Sequence, residues 1–181
     1  FLIEAALMAP DIAPRLARKF GFFRLDNFDA ALWQKLLTEA QARKRALVAQ
    51  PIFGSDISQD QVERARQNLA AADMHECVRL ERADLLLRSP PAAEGVLVAN
   101  PPYGIRLEEQ ERLAVFYPKL GDALKQRFAG WRCYFISADP QLPRLIGLKA
   151  SRRTPLFNGA LECRLLEYRI IAGPMRRTKP A

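Results

Sequence analysis

The sequence is poor in the residues that several common classes of site require. It has one histidine, His75, among 181 residues. A Ser/His/Asp triad and a histidine-rich metal site are therefore not expected, and the polar neighbours of His75 predict a plain loop residue. The three cysteines, Cys77, Cys133 and Cys163, are widely spaced and form no Cys-x-x-Cys pair. This predicts reduced, mostly buried thiols in a cytoplasmic protein, with no metal centre and no disulfide framework.

Long apolar runs and a secretory signal are also missing from the sequence. No stretch of about 18 apolar residues is present, so no membrane span is expected. Apolar residues nevertheless make up 49% of the chain, which is enough to build the core of one domain. Lys and Arg number 28 against 20 acidic residues, a net charge of +8. This balance favours a polyanionic partner, although a basic protein without such a partner could have the same composition.

The first half of the sequence predicts helices that flank a strand. Phe1–Met8 has helical character but no capping residue before it, and Pro10 should end this helix. A polar, arginine-rich connection leads to a predicted amphipathic helix from Asp29 to Arg45. Its predicted apolar face consists of Leu32, Leu36, Leu37 and Ala40.

Strands and helices then alternate, which is typical of a doubly wound parallel sheet of the Rossmann type. Ser58 and Gln61 predict a capping box at one helix start, and a second helix over 113–128 should be broken at Tyr117-Pro118. Asn158-Gly159 predicts the turn of an antiparallel hairpin at the end of the sheet. Strands are predicted at 51–57, 78–84, 95–99 and 131–137, and the hairpin arms at 151–156 and 161–171. The continuous apolar run at 95–99 predicts a central strand that is covered on both faces.

The segment Asn100-Pro101-Pro102-Tyr103-Gly104 directly follows that apolar strand. In open α/β sheets, ligands bind beyond the carboxyl ends of the strands, so a functional loop is expected here. A proline-rich turn with an asparagine cap would use the same dipeptides. The complete string at the end of a buried strand favours a functional loop over that simpler interpretation.

These residue types suit methylation of an exocyclic amine on a nucleic-acid base. The nitrogen lone pair is delocalised into the ring, so a site must accept hydrogen bonds from the NH₂ group. The side-chain oxygen of Asn100 and the carbonyl of Pro101 could accept them, and Pro102 would help to hold the backbone rigid. The ring of Tyr103 offers a surface on which an extruded base can stack. A methyl donor activated as a sulfonium makes no demand for a metal or a strong base.

Three segments together resemble one known family. The segments Phe1-Leu2-Ile3-Glu4-Ala5-Ala6, Asn100-Pro101-Pro102-Tyr103-Gly104 and Leu156-Phe157-Asn158-Gly159-Ala160-Leu161-Glu162-Cys163 are similar to those of bacterial 23S ribosomal RNA guanine-N2 methyltransferases. The Asn-Pro-Pro-Tyr motif is typical of class I methyltransferases that act on amino groups. The resemblance implies a class I methyltransferase domain over 1–173 and a basic tail over 174–181. It also implies S-adenosylmethionine as cofactor and large-subunit ribosomal RNA as partner.

The resemblance also implies which residues contact the cofactor and the substrate. Asp56 would accept hydrogen bonds from the ribose hydroxyls, with Ile57 beside it. Asp84 would contact the adenine amino group and Leu85 its ring, while Asn100 would border the cofactor as well as the substrate amine. On the substrate side, the residues themselves indicate that Tyr103 could stack on the base. Arg106 follows the motif and could bind a phosphate, although an exposed arginine without such a role is commoner.

One expected part of such a domain is absent from the sequence. The family's first strand and its Asp-Pro-x-Cys-Gly-Ser-Gly loop would precede Phe1. That strand would lie centrally, between the strands that end at Asp56 and Ala99. Both neighbours should then have unpaired edges that invite self-association, and the chain alone should not bind S-adenosylmethionine tightly.

Two other functions remain open at this stage. A DNA adenine-N6 methyltransferase would use the same amine chemistry, so the residues alone do not exclude it. A fragment that binds RNA without catalysis is the alternative from another class. The pairs Arg152-Arg153 and Arg176-Arg177 could track an RNA backbone, although arginines on a solvated face are at least as common.

Overall fold

The structure is a computed structural model that describes residues 1–14, 18–46, 52–101 and 107–172. The chain divides into two compact units, Phe1–Arg82 and Ala83–Ala181. In the described part of the chain, no helix combines the length and the apolar character that a membrane crossing requires. The basic tail predicted over 174–181 lies outside the described residues.

The first unit contains a parallel strand pair joined through a helix. β1 and β2 run in the same direction, with Ile52 opposite Val78 and Asp56 opposite Arg82. The predicted strand–helix–strand alternation is confirmed here. The elements are α1 (Leu2–Met8), a 3₁₀ turn (Gly21–Arg24), α2 (Ala30–Ala42), β1 (Ile52–Asp56), α3 (Gln59–Ala71), a second 3₁₀ turn (His75–Cys77) and β2 (Val78–Arg82).

The core of the first unit forms where α1 and α3 meet the strands. Ala6 of α1 and Leu69 of α3 are fully or almost fully buried in one apolar cluster. Gly54 in β1 permits the close approach of α1, because a Cβ at this position would lie 2.5 Å from Leu2 Cδ1 and 2.7 Å from Leu80 Cδ2. The α1 helix ends at Met8, as the proline two residues later predicts.

Helix α2 begins as predicted but turns a different face inward. Asp29 caps it, accepting a hydrogen bond from the backbone N–H of Leu32 at 2.9 Å. The predicted apolar face is partly wrong, because Leu32 and Leu36 are 52% and 48% exposed. Trp33 and Leu37 are half-buried, as is Ala40.

An aromatic cluster explains this different orientation of α2. Trp33 packs edge-on against Phe20, Phe22 and Phe23, with ring centroids 5.3–5.6 Å apart. Phe28 joins the same cluster through Phe22 and Phe23. The predicted polar connection before α2 therefore contributes an apolar packing surface, and the tryptophan side of the helix turns toward it.

The second unit contains a four-stranded sheet in the order β3-β4-β6-β5. β3 and β4 are parallel, whereas β4 pairs with β6 and β5 with β6 in antiparallel fashion. The predicted antiparallel hairpin at the end of the sheet is confirmed. The elements are β3 (Gly95–Ala99), α4 (Leu107–Arg127), β4 (Trp131–Ser137), α5 (Leu142–Leu145), β5 (Arg152–Asn158) and β6 (Leu161–Arg169).

Helix α4 continues through Pro118, so the predicted break at this residue is wrong. A proline inside a helix costs about 3 kcal/mol because it lacks the N–H of one backbone hydrogen bond. Tyr117, Leu120 and Leu124 are fully buried against the sheet. Burial of one such side chain contributes about 1.5–3 kcal/mol, so the three together outweigh the cost of the proline.

The hairpin turn lies one residue later than predicted. Asn158 pairs with Leu161 and is the last residue of β5, so the two connecting residues are Gly159 and Ala160. Gly159 has a φ of +63°, the left-handed conformation that glycine adopts without steric cost. The turn therefore depends on this glycine at its first position rather than on an Asn-Gly pair.

Strand β3 is not covered on both faces, contrary to the prediction from its apolar run. Val96 and Val98 are 53% and 47% exposed, while Leu97 and Ala99 pack against the core of the second unit. Among the described residues, β3 pairs only with β4 and β1 only with β2. The unpaired edges predicted for these two strands are therefore present in this part of the chain.

Burial has shifted the acid–base behaviour of two side chains in the second unit. The three cysteines are buried and unbridged, as predicted, and burial raises the pKa of Cys133 to about 12. Burial also raises the pKa of Tyr168 to about 12, an effect that nearby Arg153 slightly opposes. Among the described residues, the buried hydroxyl of Tyr168 has no hydrogen-bond partner.

Replacing Tyr168 with Phe should therefore stabilise the protein. Burying an unpaired hydroxyl costs about 1–3 kcal/mol, and phenylalanine removes that cost without changing the shape of the ring. The advantage should grow above pH 10, because the unfolded parent then loses the Tyr168 proton that its folded state keeps until about pH 12. Urea unfolding at pH 7 and pH 10.5 would measure both effects. A lower stability of the variant at pH 7 would contradict the account.

Candidate active site

The Asn-Pro-Pro-Tyr segment begins at the carboxyl end of β3. Asn100 is the first residue after the strand and is exposed, whereas Pro101 is buried. The neighbouring parallel strand β4 ends at the same edge, since Ala99 pairs with Phe135. This edge is where an open α/β sheet binds its ligands. Pro102, Tyr103 and Arg106, which complete the predicted substrate site, lie outside the described residues.

Asp84 and Leu85 lie in a closed turn of the second unit. Asp84 follows β2 by two residues, so the strand is shorter than predicted and does not end at this acid. Asp84 Oδ1 accepts a hydrogen bond from the N–H of Leu86 at 2.9 Å, and the Asp84 carbonyl accepts from two further backbone N–H groups. Arg127 of α4 donates to the carbonyl of Leu86 at 2.9 Å. These bonds hold the Asp84 carboxylate in a fixed position.

Asp56 occupies the corresponding position in the first unit. It is the last residue of β1 and is exposed, and its Oδ1 accepts from the N–H of Ser58 at 2.8 Å. Ile57 beside it is 64% exposed, and its carbonyl accepts from Arg82 Nε at 3.0 Å. The predicted capping box with Gln61 is not formed, because Ser58 makes no side-chain capping bond. The N–H of Ser58, which Gln61 would have bonded in a capping box, donates to the carboxylate of Asp56 instead.

The two acids share one feature that matters for binding. Each uses Oδ1 to hold its own turn, and among the described residues neither Oδ2 accepts a hydrogen bond. Each acid is also followed by an aliphatic residue, Ile57 or Leu85. A carboxylate oxygen beside an apolar side chain suits a ligand that combines a hydrogen-bond donor with an apolar ring.

Asp139 is an acid of this edge that the sequence analysis did not single out. It follows β4 by two residues, and its Oδ2 accepts from the hydroxyl of buried Tyr117 at 2.7 Å. Its Oδ1 accepts from the N–H of Gln141, and its own N–H donates to Ser137 Oγ. An acid just after a strand was the available signal. Both oxygens are already engaged, so Asp139 fixes the loop beside Asn100 rather than offering a ligand site.

No group of three or more His, Cys, Asp or Glu side chains in the described part of the chain could hold a metal ion. Asp56 and Ile57 belong to the first unit, whereas Asp84, Leu85, Asn100 and Pro101 belong to the second. The polar side chains of Asp56, Asp84 and Asn100 offer carboxylate and amide oxygens, which act as hydrogen-bond acceptors.

A family model described as RMKL-like, methyltransferase domain, matches residues 1–167. The chain belongs to this family. The family resemblance stated from the sequence motifs is thus confirmed over nearly the whole chain.

Relatives of this RMKL-like chain carry methyltransferase names. A Shewanella protein named ribosomal RNA large subunit methyltransferase K/L is 42% identical over 183 residues, which cover 99% of the chain and 26% of that protein. A Synechocystis protein, described by name as an RNA methyltransferase, is 39% identical over 171 residues, covering 94% of the chain and 44% of that protein. The chain therefore spans less than half the length of these relatives.

The solved structures confirm the class I methyltransferase fold. The protein SMU.472, determined in complex with SAH, matches with a TM-score of 0.85 and 28% identity. The match covers 99% of the chain and 46% of SMU.472. The Rossmann-like fold with an antiparallel C-terminal hairpin, predicted from the alternation of strands and helices, is therefore correct.

Proposed function

We propose that this domain transfers a methyl group from S-adenosylmethionine to the exocyclic amine of a nucleic-acid base, namely N2 of a guanine in large-subunit ribosomal RNA. The observation that carries the proposal is the position of Asn100-Pro101 at the carboxyl end of β3. The names of the Shewanella and Synechocystis relatives support RNA as the substrate. Such an enzyme would act in the cytoplasm, where ribosomes are assembled.

The acceptor geometry is supplied by an amide oxygen and a backbone carbonyl. Asn100 Oδ1 and the Pro101 carbonyl would accept the two hydrogens of the amine, so that the nitrogen becomes pyramidal and its lone pair points at the methyl carbon. Pro101 is buried and has no N–H, so it positions its carbonyl without offering a competing donor. Preorganised acceptors of this kind lower the barrier because they need no reorganisation during the reaction.

The transfer requires no base stronger than water. S-adenosylmethionine would supply the methyl group as an electrophile, and its sulfur would take the electron pair of the broken carbon–sulfur bond as the N–C bond forms. The amine becomes cationic for a moment, and its proton passes to solvent. The acceptors at Asn100 and Pro101 stabilise that positive charge. Tyr103 would stack on the extruded base and Arg106 would bind a phosphate next to it.

The acids at the strand ends fit the donor molecule. Its ribose hydroxyls and adenine amino group are hydrogen-bond donors, and the Oδ2 atoms of Asp56 and Asp84 are acceptors with no described partner. Ile57 and Leu85 would flank the adenine ring. Asp56 would accept from the ribose hydroxyls of S-adenosylmethionine and Asp84 from its adenine amino group.

The charge of the chain agrees with an RNA substrate. A net charge of +8 favours association with a phosphate backbone through release of counterions. Charge does not distinguish RNA from DNA, so the acceptor has to be identified chemically. The full-length protein should be incubated with S-adenosylmethionine labelled in its methyl group and with unmodified 23S ribosomal RNA or duplex DNA. Label in N2-methylguanosine would support the proposal, whereas label in N6-methyladenine of DNA would overturn it.

A further inference from the structure

The tip of the β5–β6 hairpin projects beyond the edge of the sheet on which Asn100 lies. The last pair between β4 and β6 joins Ser137 to Arg164, whereas the hairpin continues through Phe157 opposite Glu162 to its turn. Among the described residues, no strand other than β5 pairs with this outer part of β6. The tip is therefore a free two-stranded extension at the carboxyl end of β3 and β4.

Phe157 at this tip is 71% exposed, the largest exposed fraction among the described aromatic side chains of the second unit. Farther down the same face of the hairpin, Leu166 and Tyr168 are almost completely buried. The change from buried to exposed coincides with the point at which β4 ends. Phe157 therefore contributes little to the apolar core, and its ring is available to a partner.

The charged residues around Phe157 favour an anionic partner. In the register of the hairpin, Arg153 and Arg164 lie on the same face as Phe157, together with one acid, Glu162. All three charged side chains are exposed. Neither Arg153 nor Arg164 forms an ion pair with a described residue. Arg164 lies diagonally beside Phe157, and Glu162 is directly opposite the ring, whereas Arg153 lies two same-face pairs farther down the hairpin. An exposed ring with guanidinium groups on the same face is a combination that binds single-stranded nucleic acid, by stacking and by charge.

The register also sets the distance from Phe157 to the amine site. Ala99 of β3 pairs with Phe135 of β4, which pairs with Leu166 of β6, so Ala99 and Leu166 lie at the same height in the sheet. Counted from that height, Phe157 of β5 lies three residue positions beyond Asn100 and three strands away from it. These steps correspond to about 10 Å along the strands and about 14 Å across them. A base that reaches Asn100 cannot also lie on Phe157. The ring is positioned for another nucleotide of the same RNA strand.

We propose that Phe157, with Arg153 and Arg164, binds an unpaired nucleotide near the methylated guanine and so contributes to the choice of target. This inference rests on the proposed function of the site at Asn100. The hairpin holds the stacked nucleotide at a fixed separation from the amine acceptors, so an RNA in which that neighbour is base-paired is bound more weakly. The surface adds affinity for RNA and makes no contact with S-adenosylmethionine.

The test compares Phe157→Ala with Phe157→Trp and Ile171→Ala in the full-length protein. Ile171 is a matched control, since it is 65% exposed but follows the other end of β6. We expect Phe157→Ala to weaken binding of an unmodified 23S ribosomal RNA transcript roughly 5- to 100-fold, from the usual loss of one base–aromatic stack. Phe157→Trp should restore binding, and Ile171→Ala should bind as the parent does.

The outcomes separate this inference from the proposed function. Parent-like RNA binding by Phe157→Ala, with methylation intact, would overturn the role of the hairpin and leave the proposed function standing. A parent protein that neither binds nor methylates the RNA would overturn both. Weaker binding of S-adenosylmethionine by Phe157→Ala would show a structural defect and contradict a role limited to RNA. Arg164→Gln gives a second readout, because loss of one phosphate contact should reduce the salt dependence of RNA binding by about one unit.

Discussion

Replacing Asn100 with Ala in the full-length enzyme should lower the rate of methyl transfer by roughly 10²–10³, with little change in the affinity for S-adenosylmethionine. The removed amide oxygen is one of two preorganised acceptors, and loss of such a group typically costs about 2.7–4 kcal/mol in the transition state. Single-turnover rates and calorimetric Kd values for the donor would measure the two effects separately.

Asn68→Ala provides a matched control for this variant. Asn68 is also exposed, but it lies on α3 of the first unit, away from the strand ends. Its replacement should leave the rate unchanged. An Asn100→Ala enzyme that turns over at the parental rate would remove Asn100 from the catalytic machinery. A large loss of donor affinity with normal chemistry would make it a cofactor-binding residue only.

Replacing Asp56 with Ala should weaken binding of S-adenosylmethionine roughly 10- to 150-fold and leave RNA binding intact. The reason is the loss of hydrogen bonds from the ribose hydroxyls to a charged acceptor, which contribute about 1.5–3 kcal/mol. Calorimetric titration of the full-length variant with the donor would give the change in Kd.

The Asp56 variant needs a control for charge and one for stability. Asp60→Ala removes the same charge from an exposed position in the first turn of α3, so it should bind the donor as the parent does. Asp56 also accepts a hydrogen bond from the N–H of Ser58, and the loss of one such bond costs about 1 kcal/mol of stability. Binding is therefore measured far below the unfolding midpoint of each variant. Equal donor affinity in Asp56→Ala and the parent would refute the assignment.

The features that the sequence predicted correctly depend on local patterns. The strand at 95–99 and the polar segment after it are adjacent in the chain, so the position of Asn100 at a strand end followed from the apolar run alone. Asp29 as a helix cap and Asp56 as a strand end are likewise set by neighbouring residues. Asp84 was predicted to end its strand but lies two residues after the end of β2, because the hydrogen bonds of its turn take the place of the last predicted strand pairs.

The features that the sequence did not predict depend on contacts between distant residues. The face of α2 follows Trp33 because the phenylalanines at 20–23 pack against it, and this pairing is not visible in the helical periodicity. Helix α4 passes through Pro118 because the tertiary burial of its other face outweighs the local cost. The apolar run of β3 predicted two covered faces, but about half of the Val96 and Val98 side chains is exposed.

Analysis of modified nucleosides in cells tests the central claim most directly. Large-subunit ribosomal RNA should be isolated from the source organism, from a strain without the gene, and from that strain complemented with the parent or with Asn100→Ala. Mass spectrometry after digestion should show N2-methylguanosine decreased in the deletion strain, restored by the parent, and not restored by Asn100→Ala. An unchanged content of N2-methylguanosine in the deletion strain would contradict the proposed function.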